Sequence, residues 1–535
     1  MQANIRILVY VAAAAILGSG CGDEQRSVPP SESGTVIYRG NGGEPGSLDP
    51  ALAEDIHAFN ILTDLYEGLV SESASGELVP GVAKSWTISD DGLVYTFVLR
   101  EDGRWSNGEP LTSNDFVRSF RRVADPATAS VYGFLLEPVV NFSEVQNGSR
   151  LPGELGVKAI DDLVFEIRLH EPAPQMLAVL AMPIAFPVHA SRTAAGSFSE
   201  AELFVGNGAY TLSSHSMGGP TKLQRSPTYW AAASVAVDEI VYLPIVNPVT
   251  ELNMYRAGEI DITHNIPSEQ LKSLREATPG HVRIAPSLAL YYLAFDLTEP
   301  PLDDARLRKA LSMAIDRETL VALIGRGEQA AYGIVPGGIS GHVGSSFSWR
   351  NLPDDERQRR ARELYREAGY SKETPLTIKY VYDTEDIHEK VALAVSSMWR
   401  DVLGIEVTLE KREWQFFLET RDRRSDWDVM RFAWFGDYNH ASTFTNIFRS
   451  NDPQNLSRYR NPDYDRLLAA AASGSDSTRR AELMTEAELA LLDDSPIAPL
   501  YFFVSKHLVR PGIGGFEHNA LDRHPSKYLS LERKP

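Results

Sequence analysis

The sequence predicts an α/β protein of more than one domain, and two patterns carry that expectation. From Asp303 onward, amphipathic helices at 303–315, 317–324, 354–368, 387–403 and 476–492 alternate with strands at 376–382, 404–410 and 427–435. Such alternation implies an α/β domain with a largely parallel sheet. Length is the second: the chain has 535 residues, and a single core stops growing near ~250–300 residues. Composition is that of a globular protein, 43% hydrophobic and 23% charged. The formal charge is −20, from 52 Lys and Arg against 72 Asp and Glu, which argues against a nucleic-acid partner.

At the N-terminus Arg6 precedes the apolar run Ile7-Leu8-Val9-Tyr10-Val11-Ala12-Ala13-Ala14-Ala15-Ile16-Leu17, and Gly18-Ser19-Gly20 lead to Cys21. A basic start, a short apolar stretch and small residues form a secretory signal. The run is too short to span a bilayer, which takes about 20 apolar residues. Cys21 is the only cysteine in the chain, so no intrachain disulfide is available. Its position resembles the lipid-attachment site of bacterial lipoproteins, with Gly18 where such sites usually carry Leu; an ordinary cleaved signal is the alternative. Cleavage before Cys21 removes 20 of 535 residues and leaves 515. Residues 22–34 are polar with two prolines and read as a tether.

Ordered structure is expected from the strand Thr35-Val36-Ile37-Tyr38, followed by the Gly-rich loop 40–50 and an apolar helix at 59–69. Residues 84–100 form a hairpin signal around Asp90-Asp91-Gly92, with Leu93, Tyr95, Phe97 and Leu99 on one face. Thr112 and Asp115 have capping-box spacing. Residues 70–182 read as an inserted α+β unit. Strands follow near Leu223 and at 239–243, a helix at 249–257, and strands at 288–297 and 497–508.

Enzyme signatures fail. No Gly-Lys pair offers a phosphate loop, Pro45 breaks the dinucleotide fingerprint after Gly40-x-Gly42, His388-Glu389 lacks a second His, and no Gly-x-Ser-x-Gly elbow occurs. The segment Arg431-Phe432-Ala433-Trp434-Phe435-Gly436-Asp437-Tyr438-Asn439 runs from an aromatic strand into an acid. Ligands of α/β sheets bind outside the carboxyl ends of strands, so Asp437, walled by Trp434 and Phe435, suits an ammonium group. Asp437 could equally cap a helix starting near Ser442 or sit in a turn. The loop 42–46 could admit a ligand backbone or be a plain turn, and His388 and Trp414 singly could be structural.

In order, Glu44-Pro45-Gly46-Ser47-Leu48-Asp49-Pro50, Trp105-Ser106-Asn107-Gly108-Glu109-Pro110 with Asp115-Phe116-Val117, Asn207-Gly208-Ala209-Tyr210, Tyr229-Trp230, Tyr255-Arg256-Ala257-Gly258-Glu259-Ile260-Asp261, Arg306-Leu307-Arg308-Lys309-Ala310-Leu311 and Trp434-Phe435-Gly436-Asp437-Tyr438-Asn439 resemble the oligopeptide-binding receptors of bacterial ABC importers, within the peptide and nickel solute-binding family. The resemblance implies a two-lobe, type II periplasmic-binding-protein-like clamp with an additional α+β domain. Its expected division is a signal peptide at 1–20, a lipidated tether at 21–34, lobe I at 35–69, 183–288 and 505–535, the extra domain at 70–182 and lobe II at 289–504.

The same resemblance implies that the peptide lies extended between Glu44–Gly46 and Trp434–Phe435, held through its backbone. Asp437 would take its α-ammonium, and Arg431 and His388 would reach its carboxylate. Tyr132, Asn265, Trp414, Arg421, Trp434 and Tyr501 would line side-chain pockets, with His264 where the family has a tyrosine and Arg326 in place of a lysine. Ala289 and Phe435 fall where relatives can carry a disulfide, so an apolar contact is expected there. The expected protein is a monomeric, lipid-anchored receptor in the periplasm or at the cell surface. It uses no cofactor or metal, is not an enzyme, and delivers short peptides to ABC permease subunits. A receptor for murein peptides or another small ligand is the alternative, and a surface peptidase or chaperone a more distant one.

Overall fold

The computed structural model describes residues 34–195, 198–339, 342, 344–423, 425–474 and 476–532; the signal sequence and Cys21 lie outside them. Five sheets occur among the described residues. In one, Val36–Gly40 pairs in parallel with Glu239–Leu243, and Thr221–Arg225 and Tyr210–Ser214 continue it antiparallel. A second, antiparallel sheet has the order Ala83–Ile88, Val94–Leu99, Val164–Arg168, Val157–Asp161. Helix Ser113–Ala124 covers it, with Phe116 and Phe120 each 5.6 Å from the Phe165 ring. Its first turn is fixed as expected, because the Asp115 carboxylate accepts from the Thr112 N–H at 2.8 Å.

The largest sheet has six strands, in the order Gln329–Ala330, Ile497–Leu508, Val282–Phe295, Val429–Phe435, Thr377–Asp383, Glu406–Arg412. It is mixed, not largely parallel: only the pairings of Thr377–Asp383 with its two neighbours are parallel. Val282–Phe295 and Ile497–Leu508 are long antiparallel partners, and their insertion in mid-sheet breaks the helix-crossover pattern read from sequence. The first helix also differs from expectation. It runs Ile56–Leu65, because the Asp55 side chain accepts from the Ala58 N–H and Tyr66 turns extended.

Apolar burial is concentrated in two large clusters. One extends over Ile37–Ile262 and takes in Val509 and Leu529; the other extends over Leu288–Tyr501 and takes in Ala520. The long ribbon Val282–Phe295/Ile497–Leu508 runs from the second cluster to a third, smaller one, and Val509 just beyond it joins the first. Its inner residues Leu290–Phe295 lie in the second cluster, and its outer end at Leu508 packs with Leu252, Ile260 and Leu271. There Thr263 donates its N–H to Leu508 O at 3.0 Å and accepts from the Leu508 N–H at 2.8 Å.

The chain's last stretch returns to the first cluster through buried charge. The Glu67 carboxylate accepts from Tyr229 Oη and Trp230 Nε1, each at 2.6 Å, and from Lys527 Nζ at 2.8 Å. Asn207 clamps the Glu67 backbone from both sides. Removing one partner of a buried ion pair strands the other without solvent and typically costs about 3–5 kcal/mol. Glu67→Ala is therefore expected to destabilise the protein by about that amount at pH 7, measured as a drop in the denaturant midpoint, with Lys527→Met smaller because Tyr229 and Trp230 still satisfy the carboxylate.

Candidate functional site

The loop after the first strand is held by its own polar groups. Asn41 donates to the carbonyls of Gly43 and His57, at 3.2 and 3.1 Å. Asp55 caps its helix with one oxygen (2.8 Å from Ala58 N) and accepts from the Gly46 N–H with the other, at 2.9 Å. Gly42 sits at φ +71°, where an added Cβ would lie 2.2 Å from the His264 ring, so only glycine fits. Glu44 accepts from the Gly218 N–H at 3.1 Å and lies 3.7 Å from His215 Nε2. Behind the loop, burial pushes the His264 imidazole down to about 4. The N–H groups of His264 and Asn265 donate to Glu251 at 2.6 and 3.2 Å. The loop thus meets His264 at Gly42, while Glu44 and Gly46 are held by Gly218 and Asp55.

Asp437 follows strand Val429–Phe435, as the strand-end rule requires. Helix Ser442–Thr445 begins from Ala441 and takes no side-chain cap, so Asp437 is not capping it. Its N–H donates to Thr443 Oγ1 at 3.2 Å, and its carbonyl accepts from Arg523 at 3.4 Å. Burial pushes the carboxylate up to about 6, against the pull of Arg523. The same charge helps burial raise the Tyr132 phenol; Tyr132 packs edge-on to Phe59 at 5.9 Å, and the Arg523 guanidinium lies over Phe59 at 5.6 Å. Asp437, Tyr132 and Arg523 form a second group. On the strand before Asp437, Trp434 has a buried Nε1 with no hydrogen-bond partner. Phe435 is 61% exposed and packs on Phe503 at 5.2 Å. Ala289 and Phe435 are register partners.

The third group surrounds Arg431. Its guanidinium pairs with Asp383 and lies over Phe417 at 4.9 Å and Trp414 at 5.8 Å. His388 Nδ1 meets Tyr291 Oη at 3.2 Å, and its Nε2 lies 3.4 Å from Glu385 and 3.9 Å from Asp383. Burial lowers the His388 pKa, helped by the Arg326 charge and opposed by Glu385. Tyr501 stacks on Tyr291 at 4.7 Å. Arg421 lies in the helix Trp414–Arg423 that supplies the aromatic cover. Sequence reasoning missed Asp383, Phe417, Phe503 and Arg523. Asp383 ends strand Thr377–Asp383, so the rule that singled out Asp437 applies to it equally.

Among the described residues, two clusters have metal-ligand spacing, Asp383/Glu385/His388 and His507/Asp522/His524. In the first, Arg431 already supplies the cation. In the second, His507 donates through both nitrogens, to Thr263 O and Asp522 Oδ1 at 2.8 Å each, so the imidazole is itself the cation, and its pKa is raised accordingly.

Residues 77–455 match the model of bacterial extracellular solute-binding proteins, family 5 (middle). The periplasmic oligopeptide-binding protein OppA of Escherichia coli (strain K12) is 38% identical over 523 residues, 96% of this chain and 95% of that protein. Among solved structures, the unliganded open form of the murein tripeptide-binding protein MppA superposes with a TM-score of 0.88 at 33% identity, covering 93% of this chain and 99% of that one. The Haemophilus influenzae OppA complex with the peptide RPPGFSPFR gives 0.72 at 34% identity, covering 94% and 100%. At nearly equal identity, the backbone is closer to the open form. The fold is that of type II periplasmic binding proteins, and the chain belongs to the family 5 extracellular solute-binding proteins, which are binding proteins and not enzymes.

Proposed function

We propose that this protein captures short peptides in the cleft between its two large cores and delivers them to an ABC permease, anchored to the membrane by a lipid on Cys21. The observation that carries the reading is Asp437: a half-buried carboxylate at a strand end, close enough to Tyr132 to act on its phenol, with its pKa raised to about 6 because desolvation outweighs its cationic neighbour. A free peptide α-ammonium supplies the missing charge. The walls at Glu44–Gly46 and Trp434–Phe435 hold the peptide backbone, with Asn265, His264, Trp414, Arg421 and Tyr501 around its side chains and Arg431 and His388 at its far end. Lobe I (35–69, 183–288, 505–535), the extra domain (70–182) and lobe II (289–504) are the moving parts. The closer match to an unliganded open form supports an open clamp that closes on its ligand. That same match, to a murein tripeptide receptor, favours murein peptides as the second reading.

Calorimetry with tri-alanine and N-acetyl-tri-alanine tests this. A peptide amino group has pKa about 7.7–8.0 and is charged at neutral pH. Asp437→Asn strands that charge in the closed cleft and is expected to cost about 3–5 kcal/mol for the free peptide. The acetylated form should bind wild type poorly and lose little more. Equal losses for both forms would assign Asp437 a structural role.

Without ligand, the same substitution should stabilise the protein. The folded pKa of Asp437 lies above its unfolded value of 3.8, so its contribution is fully present below pH ~4 and is lost as pH rises through ~6. Asp437→Asn removes that cost. Chemical denaturation should show a gain of up to about 2–3 kcal/mol at pH 7 and none at pH 4.

Cys21→Ser is expected to release the protein from membranes or leave it unprocessed, because the acyl chains supply the affinity at about 0.8 kcal/mol per buried CH₂. Fractionation that finds the Ser variant processed and still fully membrane-bound would refute the lipid anchor.

A further inference from the structure

A cavity of about 250 Å³ opens where the segment after strand Val164–Arg168 meets the helices Pro462–Ser473 and Ser477–Asp494, and none of the residues proposed to hold the peptide lines it. Pro172 and Gln175 come from that segment. Leu468 and Ala472 on the first helix and Met484 on the second add apolar surface. The polar wall is Arg449, Arg480 and His440.

Nearby arginines on these helices are neutralised: Arg466 pairs with Asp463, and Arg479 with Glu482 and Glu486. Arg449 and Arg480 pair with no acid among the described residues. Arg480 Nη2 donates to Gly474 O at 2.8 Å, but its buried Nε has no partner. His440 Nδ1 accepts from the Ser442 N–H at 3.2 Å, so the hydrogen of the neutral ring sits on Nε2. The ring stays neutral because burial, with the charges of Arg480 and His342, lowers its pKa to about 4. Glu171 is the one acid among the lining residues, and it is exposed. Asp90 lines the adjoining groove that shares Arg480. Two half-buried cations thus face one acid on the cavity wall, with donor hydrogens unused. A guanidinium shielded from water without a counter-ion is costly. An anion carrying apolar surface answers both the charge and the apolar lining.

We propose that this cavity is an accessory site for a small organic carboxylate with an apolar body, paired with Arg449 and Arg480 and seated against Leu468, Ala472 and Met484. Inorganic phosphate offers the charge without the apolar contact and should bind more weakly. The site is independent of the peptide reading, since it uses none of that cleft's residues. Its walls come from segments 171–175 and 440–484, so a bound carboxylate bridges the proposed extra domain to lobe II.

Calorimetry of the purified protein at pH 7.5 and constant ionic strength tests it, with benzoate, benzyl alcohol and inorganic phosphate as probes. Benzoate should bind with a low-millimolar Kd or tighter, and benzyl alcohol and phosphate about tenfold or more weakly than that. Arg449→Gln and Arg480→Gln should each weaken benzoate about tenfold. Ala472→Met fills the cavity and leaves both charges in place. It should weaken benzoate as much, and it carries the test if an arginine variant does not fold. Tri-alanine should bind the folded variants as it binds wild type, and should not displace benzoate. No binding of benzoate overturns the inference. So does binding of benzyl alcohol or phosphate as tight as that of benzoate, displacement of benzoate by tri-alanine, or benzoate affinity unmoved in the folded variants. Benzoate binding that is lost in the variants, with no binding of tri-alanine to any form, supports this site and counts against the peptide reading alone.

Discussion

The buried carboxylate of Glu67 fixes the closure of the fold. A charge withdrawn from water is tolerated only when it is paired and hydrogen-bonded, and Glu67 finds its partners at Tyr229, Trp230 and Lys527. One turn earlier, Asp64 accepts from the Ser526 N–H at 2.7 Å and from Tyr242 Oη at 2.7 Å, and Arg39 donates to the carbonyl of His524 at 2.8 Å. These contacts bind residues 524–527 to the first core. The chain has by then crossed into the second core and come back along Ile497–Leu508. Without the return, that strand would lead away from the first core; with it, the link between the two cores is a pair of strands anchored at both ends.

Buried charge elsewhere follows the same rule. Arg317 is fully buried and donates to Pro499 O at 2.7 Å and Ser312 O at 2.9 Å, with the rings of Tyr332, Phe347 and Trp349 5.3–5.5 Å from its guanidinium; desolvation pushes its pKa down to about 9, against the pull of Asp316. Arg431 has Asp383. Asp437 stands at a strand end with Arg523 answering it only in part, and desolvation raises its pKa as it does those of Asp64 and Glu251. A binding protein needs such an incompletely answered group, since only a ligand that supplies what the fold withholds gains from being enclosed.

Elements with strong local signals were legible in the sequence. Alternating apolar positions set the hairpin strands Ala83–Ile88 and Val94–Leu99, and 3.6-residue periodicity set Arg317–Ile324 and the helix now seen as Asp386–Leu403. Sheet direction was not legible, because strand polarity depends on which distant segments meet; Val282–Phe295 and Ile497–Leu508 pair across some two hundred residues. In the site, Asp437 was visible because an acid after an aromatic strand is locally unusual. Asp383 has the same strand-end position, after Tyr380-Val381-Tyr382, but its meaning comes from its pairing with Arg431, which lies on the adjacent strand in space and far off in sequence. Several of the segments carrying the family resemblance prove to be structural: Asn207, Tyr229 and Trp230 all converge on Glu67.

The pairing of Ala289 with Phe435 has a consequence for how the protein matures. These positions neighbour one another in the largest sheet by backbone register, and Phe435 packs on Phe503. With a single cysteine in the chain, neither this pair nor any other part of the polypeptide waits on thiol oxidation. The fold can therefore assemble without a disulfide-forming catalyst, in an oxidising or an anaerobic environment alike.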